Sequence, residues 1–161
     1  MALWSRRRKV HPIPTFGGAD NTSLESFILS YAADYKKWND YCFRVGEGCK
    51  GQSTAERLKM TEGFSRLYRH FLTPYLAGGV ELQLIAYGST SSFDPERLTI
   101  SEIKQDGDQR RVFFSIAHKH LDQSDDYFAE ISSNGENGWQ LHQVFYIDPF
   151  PEDGKEIWAS L

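Results

Sequence analysis

Cysteine is scarce in this chain, and long apolar runs are missing. The two cysteines, Cys42 and Cys49, are too few for a disulfide framework, and neither stands in a Cys-x-x-Cys or Cys/His zinc pattern. No apolar run approaches the ~18 residues of a spanning helix, so no membrane segment is expected. There is no Gly-x-Gly-x-x-Gly or Walker-type loop to cradle a phosphate and no Gly-x-Ser-x-Gly nucleophile elbow. Gly46-Glu47-Gly48-Cys49-Lys50-Gly51 has the glycines of a phosphate loop but not the preceding strand or the Gly-Lys-Ser/Thr order, and it reads as a connection between elements. Gly88-Ser89-Thr90-Ser91-Ser92 reads as a surface loop, the first part of a polar loop from Gly88 to Asp94.

What is present is aromatic and patterned. The 161 residues are 40% hydrophobic and 14% aromatic, which fits one globular domain and argues against disorder. One stripe at three-and-four spacing runs Leu24, Phe27, Ile28, Tyr31, Tyr35, Trp38, Cys42; a second runs Leu58, Phe64, Leu67, Tyr68, Phe71, Leu72, Tyr75. Both read as the buried faces of amphipathic helices. Thr22-Ser23-Leu24-Glu25 and Ser53-Thr54-Ala55-Glu56 each have the capping-box form and start them near Thr22 and Ser53. Gly46 and Gly48 are expected to stop the first soon after Arg44. Pro74 is expected to stop the second near Thr73 and to open a short third helix, Pro74–Ala77.

From Val80 the spacing changes to two. Strands are expected near 80–87, 97–105, 109–119, 127–132 and 139–148, with Asp106-Gly107 as a hairpin turn and a polar loop from His120 to Asp126. On the last strand Trp139, Leu141, Gln143, Phe145 and Ile147 are expected to share one face, and Phe150, Ile157 and Trp158 to tuck the tail back. Helices first and a meander after give an α+β domain: two long N-terminal helices and a short third packed on a curved antiparallel sheet. Residues 1–20 read as an irregular basic arm, broken by Pro12, Pro14, Gly17 and Gly18, ahead of a single domain over 21–161.

The charge is uneven. Arg6, Arg7, Arg8 and Lys9 hold four of the 18 basic residues; without them 14 face 22 acidic ones. An acidic body repels nucleic-acid phosphates and attracts a basic partner. No apolar segment of the secretory kind follows the basic cluster, so a cytoplasmic location is expected. Candidate chemistry is sparse. His118 and His120 form the one close histidine pair, with Asp122, Asp125 and Asp126 near in sequence, but the carboxylates lack ordered calcium-loop spacing, and no metal or cofactor is expected. Cys42 sits on an apolar stripe with no histidine placed to activate it. No catalytic residue is assigned.

A capped long helix, a second helix, a proline turn and a meander over about 22–148 resemble the nuclear-transport-factor-2-like fold, a cone of helices over a bent sheet. Phe71-Leu72-Thr73-Pro74-Tyr75-Leu76, Phe93-Asp94-Pro95-Glu96-Arg97-Leu98 and Gly138-Trp139-Gln140-Leu141 look most like the bacterial immunity proteins of polymorphic toxin systems. The resemblance implies a cytoplasmic protein, not an enzyme, that binds one toxin delivered by contact-dependent or type VI secretion. Exposure and charge single out Asp122, Asp125, Asp126 and Glu136, then Asp106 and Asp108, as toxin-binding residues. The alternative is a small-ligand binder or isomerase/dehydratase-like enzyme using Tyr87, His118, His142 and Tyr146 around the cone; a homodimer is a third reading.

Overall fold

In the computed structural model, residues 10–82, 86–135, 138–151, 157–159 and 161 are described. Helices α1 (Leu24–Gly48) and α2 (Thr54–Leu72) precede strands β1 (Leu98–Asp106), β2 (Gln109–Ala117), β3 (Ser124–Ser133), β4 (Trp139–Ile147) and β5 (Ile157–Ala159). The strands form one antiparallel sheet in chain order, four long strands with the three-residue β5 at the edge. This is the expected α+β arrangement. No described helix is long and apolar enough to cross a membrane.

Both helix starts are capped, one of them as expected. Ser53 accepts from the Glu56 N–H while the Glu56 carboxylate accepts from the Ser53 N–H, a full capping box. At α1 the cap is Ser23, which accepts from the Ser26 N–H at 3.0 Å. Thr22 is drawn away by Asp20, whose carboxylate accepts both its N–H (3.0 Å) and its hydroxyl (2.7 Å). Gly46 does not stop α1; the helix runs through it to Gly48.

The third helix is replaced by something else. After α2 the chain turns at Thr73–Tyr75, and Leu76 makes a parallel bridge to Leu141. The Tyr75 carbonyl accepts from the Leu141 N–H at 2.7 Å, and Ala77 N–H donates to the Leu141 carbonyl at 2.9 Å. β5 covers only Phe145–Ile147 of β4, so the β4 edge at Leu141 needs partners, and extended backbone at Tyr75–Ala77 supplies them. Of the strand expected over 80–87, residues 80–82 and 86–87 are not in a strand, and 83–85 lie outside the described residues.

The expected α1 stripe is buried from Leu24 to Cys42, and Phe64, Tyr68, Phe71, Leu72 and Tyr75 bury with it. Leu58 does not: it is 60% exposed. The sheet contributes Val112, Phe114, Ile116, Tyr127, Ala129, Ile131, Leu141 and Val144. At the centre stands a residue from a loop expected to be polar. Phe93 is enclosed by Tyr35 (4.8 Å between ring centroids), Tyr127 (5.1 Å) and Tyr31 (5.4 Å). Edge-to-face pairs of this kind contribute about 0.5–1.5 kcal/mol each beyond area burial.

Two bulges shape the sheet. In β1 the pairing steps from Ile100 to Glu102, leaving Ser101 out. In β4 Gln143 pairs with Glu130 and Leu141 with Ile131, leaving His142 out. The second bulge corrects the single-face expectation for β4: Trp139 and Leu141 join the core, whereas Gln143, Phe145 and Ile147 fall on the opposite face. On that face Phe113, Phe128 and Phe145 stack in a row at 5.4 and 4.7 Å, with Lys104 over Phe113 and Arg111 over Phe128. The tail tucks back in part as expected, with Ile157 pairing with Ile147 in β5. Phe150 is 84% exposed; Leu161 is buried instead, its N–H donating to Gln143 Oε1 at 3.0 Å. The Trp158 backbone pairs with Tyr146 in β5.

Candidate interaction surface

Three buried or half-buried polar side chains position the loops around the sheet. Asp34 of α1 is buried; its carboxylate accepts from Gly17 N–H (2.8 Å), Gly18 N–H (2.8 Å) and the Tyr75 hydroxyl (2.9 Å), with Lys37 at 3.4 Å. One side chain thus ties the arm, α1 and the turn after α2. Gly18 has φ +78°, a conformation an L side chain resists. Asn39, one turn on, clamps Gly88 through both amide atoms, accepting from its N–H (2.9 Å) and donating to its carbonyl (3.0 Å). Arg97 donates to the Ala117 and Ser91 carbonyls and to the Asp94 carboxylate. The Phe93–Leu98 segment is therefore a folding device: Phe93 fills the core, and Asp94 and Arg97 lock the loop that carries it. Sequence reading missed all three roles; the one available signal was a polar residue inside an apolar helical stripe at Asp34 and Asn39.

The candidate carboxylates separate. Asp122, Asp125 and Asp126 lie at the end of the sheet where β2 passes to β3, and that connection is shorter than expected, because β3 begins at Ser124. Asp126 pairs with Ser115 and Ile147 and is exposed; Asp122 is exposed in the loop; Asp125 is half-buried, its carboxylate 3.2 Å from His118 Nε2. Asp106 and Asp108 flank Gly107 (φ +59°) in the β1–β2 turn at the opposite end, roughly 27 Å away along nine residues of β2. Glu136 lies outside the described residues.

A further acid joins the first group. The Tyr146 hydroxyl is pushed above its ordinary pKa first by burial and then by Asp125, Asp148 and Asp126. The same burial and Asp125 raise Tyr127. Asp148, just past β4, was not expected there. A cleft of about 300 Å³ between Ser91, Arg97, Ile116, His118, His120 and Asp125 opens beside this group. Next to it Lys36 holds Asp40 at 2.9 Å and Asp94 at 3.8 Å, and the Asp40 hydrogen bond raises the Lys36 pKa.

The four residues of the pocket reading are dispersed. His118 lines the cleft just described. His142 sits at the β4 bulge with Nε2 2.7 Å from the Ser132 hydroxyl. Tyr87 packs beside Phe64 and Trp38, and Tyr146 beside Tyr127. Among the described residues no group of three or more His, Cys, Asp or Glu is arranged to hold a metal ion. Cys42 is buried, and burial pushes its thiol up to about 12, the opposite of an activated nucleophile.

Charge follows the architecture. Among the described residues, those from 10 to 73 hold 8 basic and 7 acidic side chains, a balance of +1; those from 74 onward hold 5 and 11, a balance of −6. The class defined by this geometry is an α+β domain with an aromatic interior, a near-neutral helical half and an acidic sheet half. No family model matches the chain, and neither the curated proteins nor the solved structures contain a match.

Proposed function

We propose that the protein is an immunity protein that binds one secreted toxin in the bacterial cytoplasm and neutralises it by occluding its active site, on a nuclear-transport-factor-2-like cone. The observation that carries this reading is the convergence of Asp125, Asp126 and Asp148 at one end of a sheet whose inner face is packed shut by rings. Such carboxylates can stand where a nuclease or other basic toxin would place its substrate's anionic groups, and complementary charge speeds encounter and selects the partner. The ring-filled interior supports a binding role over a pocket enzyme, because Phe93 and Tyr35 occupy the space a substrate would need. A toxin delivered by type VI or contact-dependent secretion is the partner proposed.

The test is co-expression with the toxin encoded beside this gene. Survival of cells that carry both, death of cells that carry the toxin alone, and co-purification as a complex are expected. Death despite co-expression, or no complex, refutes the reading. A homodimer remains a second proposal, motivated by the aromatic row Phe113–Phe128–Phe145 on the outer sheet face; light scattering tests it.

A further inference from the structure

A different opening lies between the two helices and shares no lining residue with the cleft beside Asp125. A groove of about 680 Å³ runs between the C-terminal part of α1 and α2, within the range of small-molecule sites. Its floor is Tyr41 and Val45 of α1 with Met60, Phe64 and Leu67 of α2. The α2 lining residues from Glu56 to His70 recur every three or four positions, so the groove follows one face of the helix for about 21 Å.

Its rim is cationic. Lys59 and Arg66, two turns apart, border it, and among the described residues neither is ion-paired. The one acid on the rim, Glu56, has its carboxylate turned to the Ser53 N–H and hydroxyl, each at 3.0 Å. A long apolar floor beneath Lys59 and Arg66, which form no ion pair among the described residues, is complementary to an apolar tail with an anionic head.

Gly63 gives a second, independent indication. It lies mid-helix in the lining, where glycine weakens a helix relative to alanine. Nothing in the fold requires it: its φ is not positive, and an added Cβ would meet only Arg66 Nη2, at 4.0 Å. Gly63 lines the groove, and a larger side chain there would take up space beside the Arg66 guanidinium.

We infer that this groove binds a long-chain aliphatic carboxylate, its tail along Tyr41, Val45, Met60 and Leu67 and its carboxylate held by Lys59 and Arg66. The site is separate from the acidic sheet end and does not depend on the toxin reading. The test is calorimetric titration of the full chain with sodium dodecanoate below its micelle concentration, and with dodecyltrimethylammonium as the tail-matched cation. Saturable binding near one molecule per chain is expected for dodecanoate and none for the cation. Gly63→Leu fills the groove and should weaken dodecanoate by at least about tenfold while Tm holds or rises. The surface double variant Lys59→Glu with Arg66→Glu should do the same without touching the floor, so the test survives if Gly63→Leu fails to fold. No saturation, equal binding of both head groups, or undiminished affinity in the double variant would overturn the assignment, as would a groove that takes up an acidic helical peptide but not dodecanoate.

Discussion

The helical half and the sheet half of this protein are held together differently. Across α1 and α2, Tyr31, Tyr35, Trp38, Tyr68 and Phe71 touch one another ring to ring, and the Trp38 indole N–H crosses to the Phe64 carbonyl at 3.0 Å. The sheet is a meander of near-neighbour hairpins whose loops are set by single polar residues. The helical half is near neutral and carries an apolar groove; the sheet half is acidic. Packing and charge thus fall to different parts: the rings fill the interior, and under the proposed function the outward carboxylates select the partner.

The widest contrast comes from pH. Burial raises the Tyr35 phenol from 10.0 to about 12 and pushes Tyr31, Tyr68, Tyr75 and Tyr127 up as well. A phenol with a higher pKa in the fold holds its proton more tightly there than in the unfolded chain. Its contribution is therefore complete below about pH 10 and is lost as pH climbs through the folded values. Alkaline titration followed by phenolate absorbance and circular dichroism should show the buried tyrosines ionising together with cooperative unfolding. Ionisation of all eight tyrosines at their ordinary pKa with the fold intact would break the packing account.

Next in size, Phe93→Ala should cost about 3–5 kcal/mol in urea unfolding, because it empties the junction where both halves meet. The same truncation at Phe113, half-exposed on the outer sheet face, should cost far less. Asp34→Ala should cost about 3 kcal/mol, since it strands the Gly17 and Gly18 N–H groups and the Tyr75 hydroxyl. Its loss should also raise amide exchange at Gly17 and Gly18, which no ring truncation should do. Smallest is Tyr31→Phe. The Tyr31 hydroxyl is buried among rings with no hydrogen-bond partner among the described residues, so removing it should stabilise the protein by about 1 kcal/mol. A destabilised Tyr31→Phe would mean that the hydroxyl is satisfied in solution.

The sequence made the helical half more legible than the sheet half. Three-and-four spacing from Leu24 to Cys42 marks a face that can only be buried, and Ser53 with Glu56 marks a start with a local mechanism. What stayed hidden was set by distant partners. Phe93 reads as part of a polar loop until Tyr35 and Tyr127 close on it. Pro74 reads as a helix start until the open β4 edge at Leu141 claims the backbone after it. A one-residue bulge at His142 reverses the face of Gln143, Phe145 and Ile147 without any mark in the alternation. The acidic candidates were legible as charge, but only the strand order separates Asp106 and Asp108 from Asp122, Asp125 and Asp126 and adds Asp148.

Association kinetics with the proposed toxin partner test this account most directly. The variant Asp125→Asn with Asp126→Asn and Asp148→Asn should keep the wild-type urea midpoint within about 0.5 kcal/mol of stability, because surface substitutions cost little. Its association rate should fall by about tenfold or more, and the salt dependence of that rate should flatten. A wild-type association rate and salt slope in this variant, with both lost instead on reversing Lys59 and Arg66, would contradict the assignment of recognition to the acidic end of the sheet.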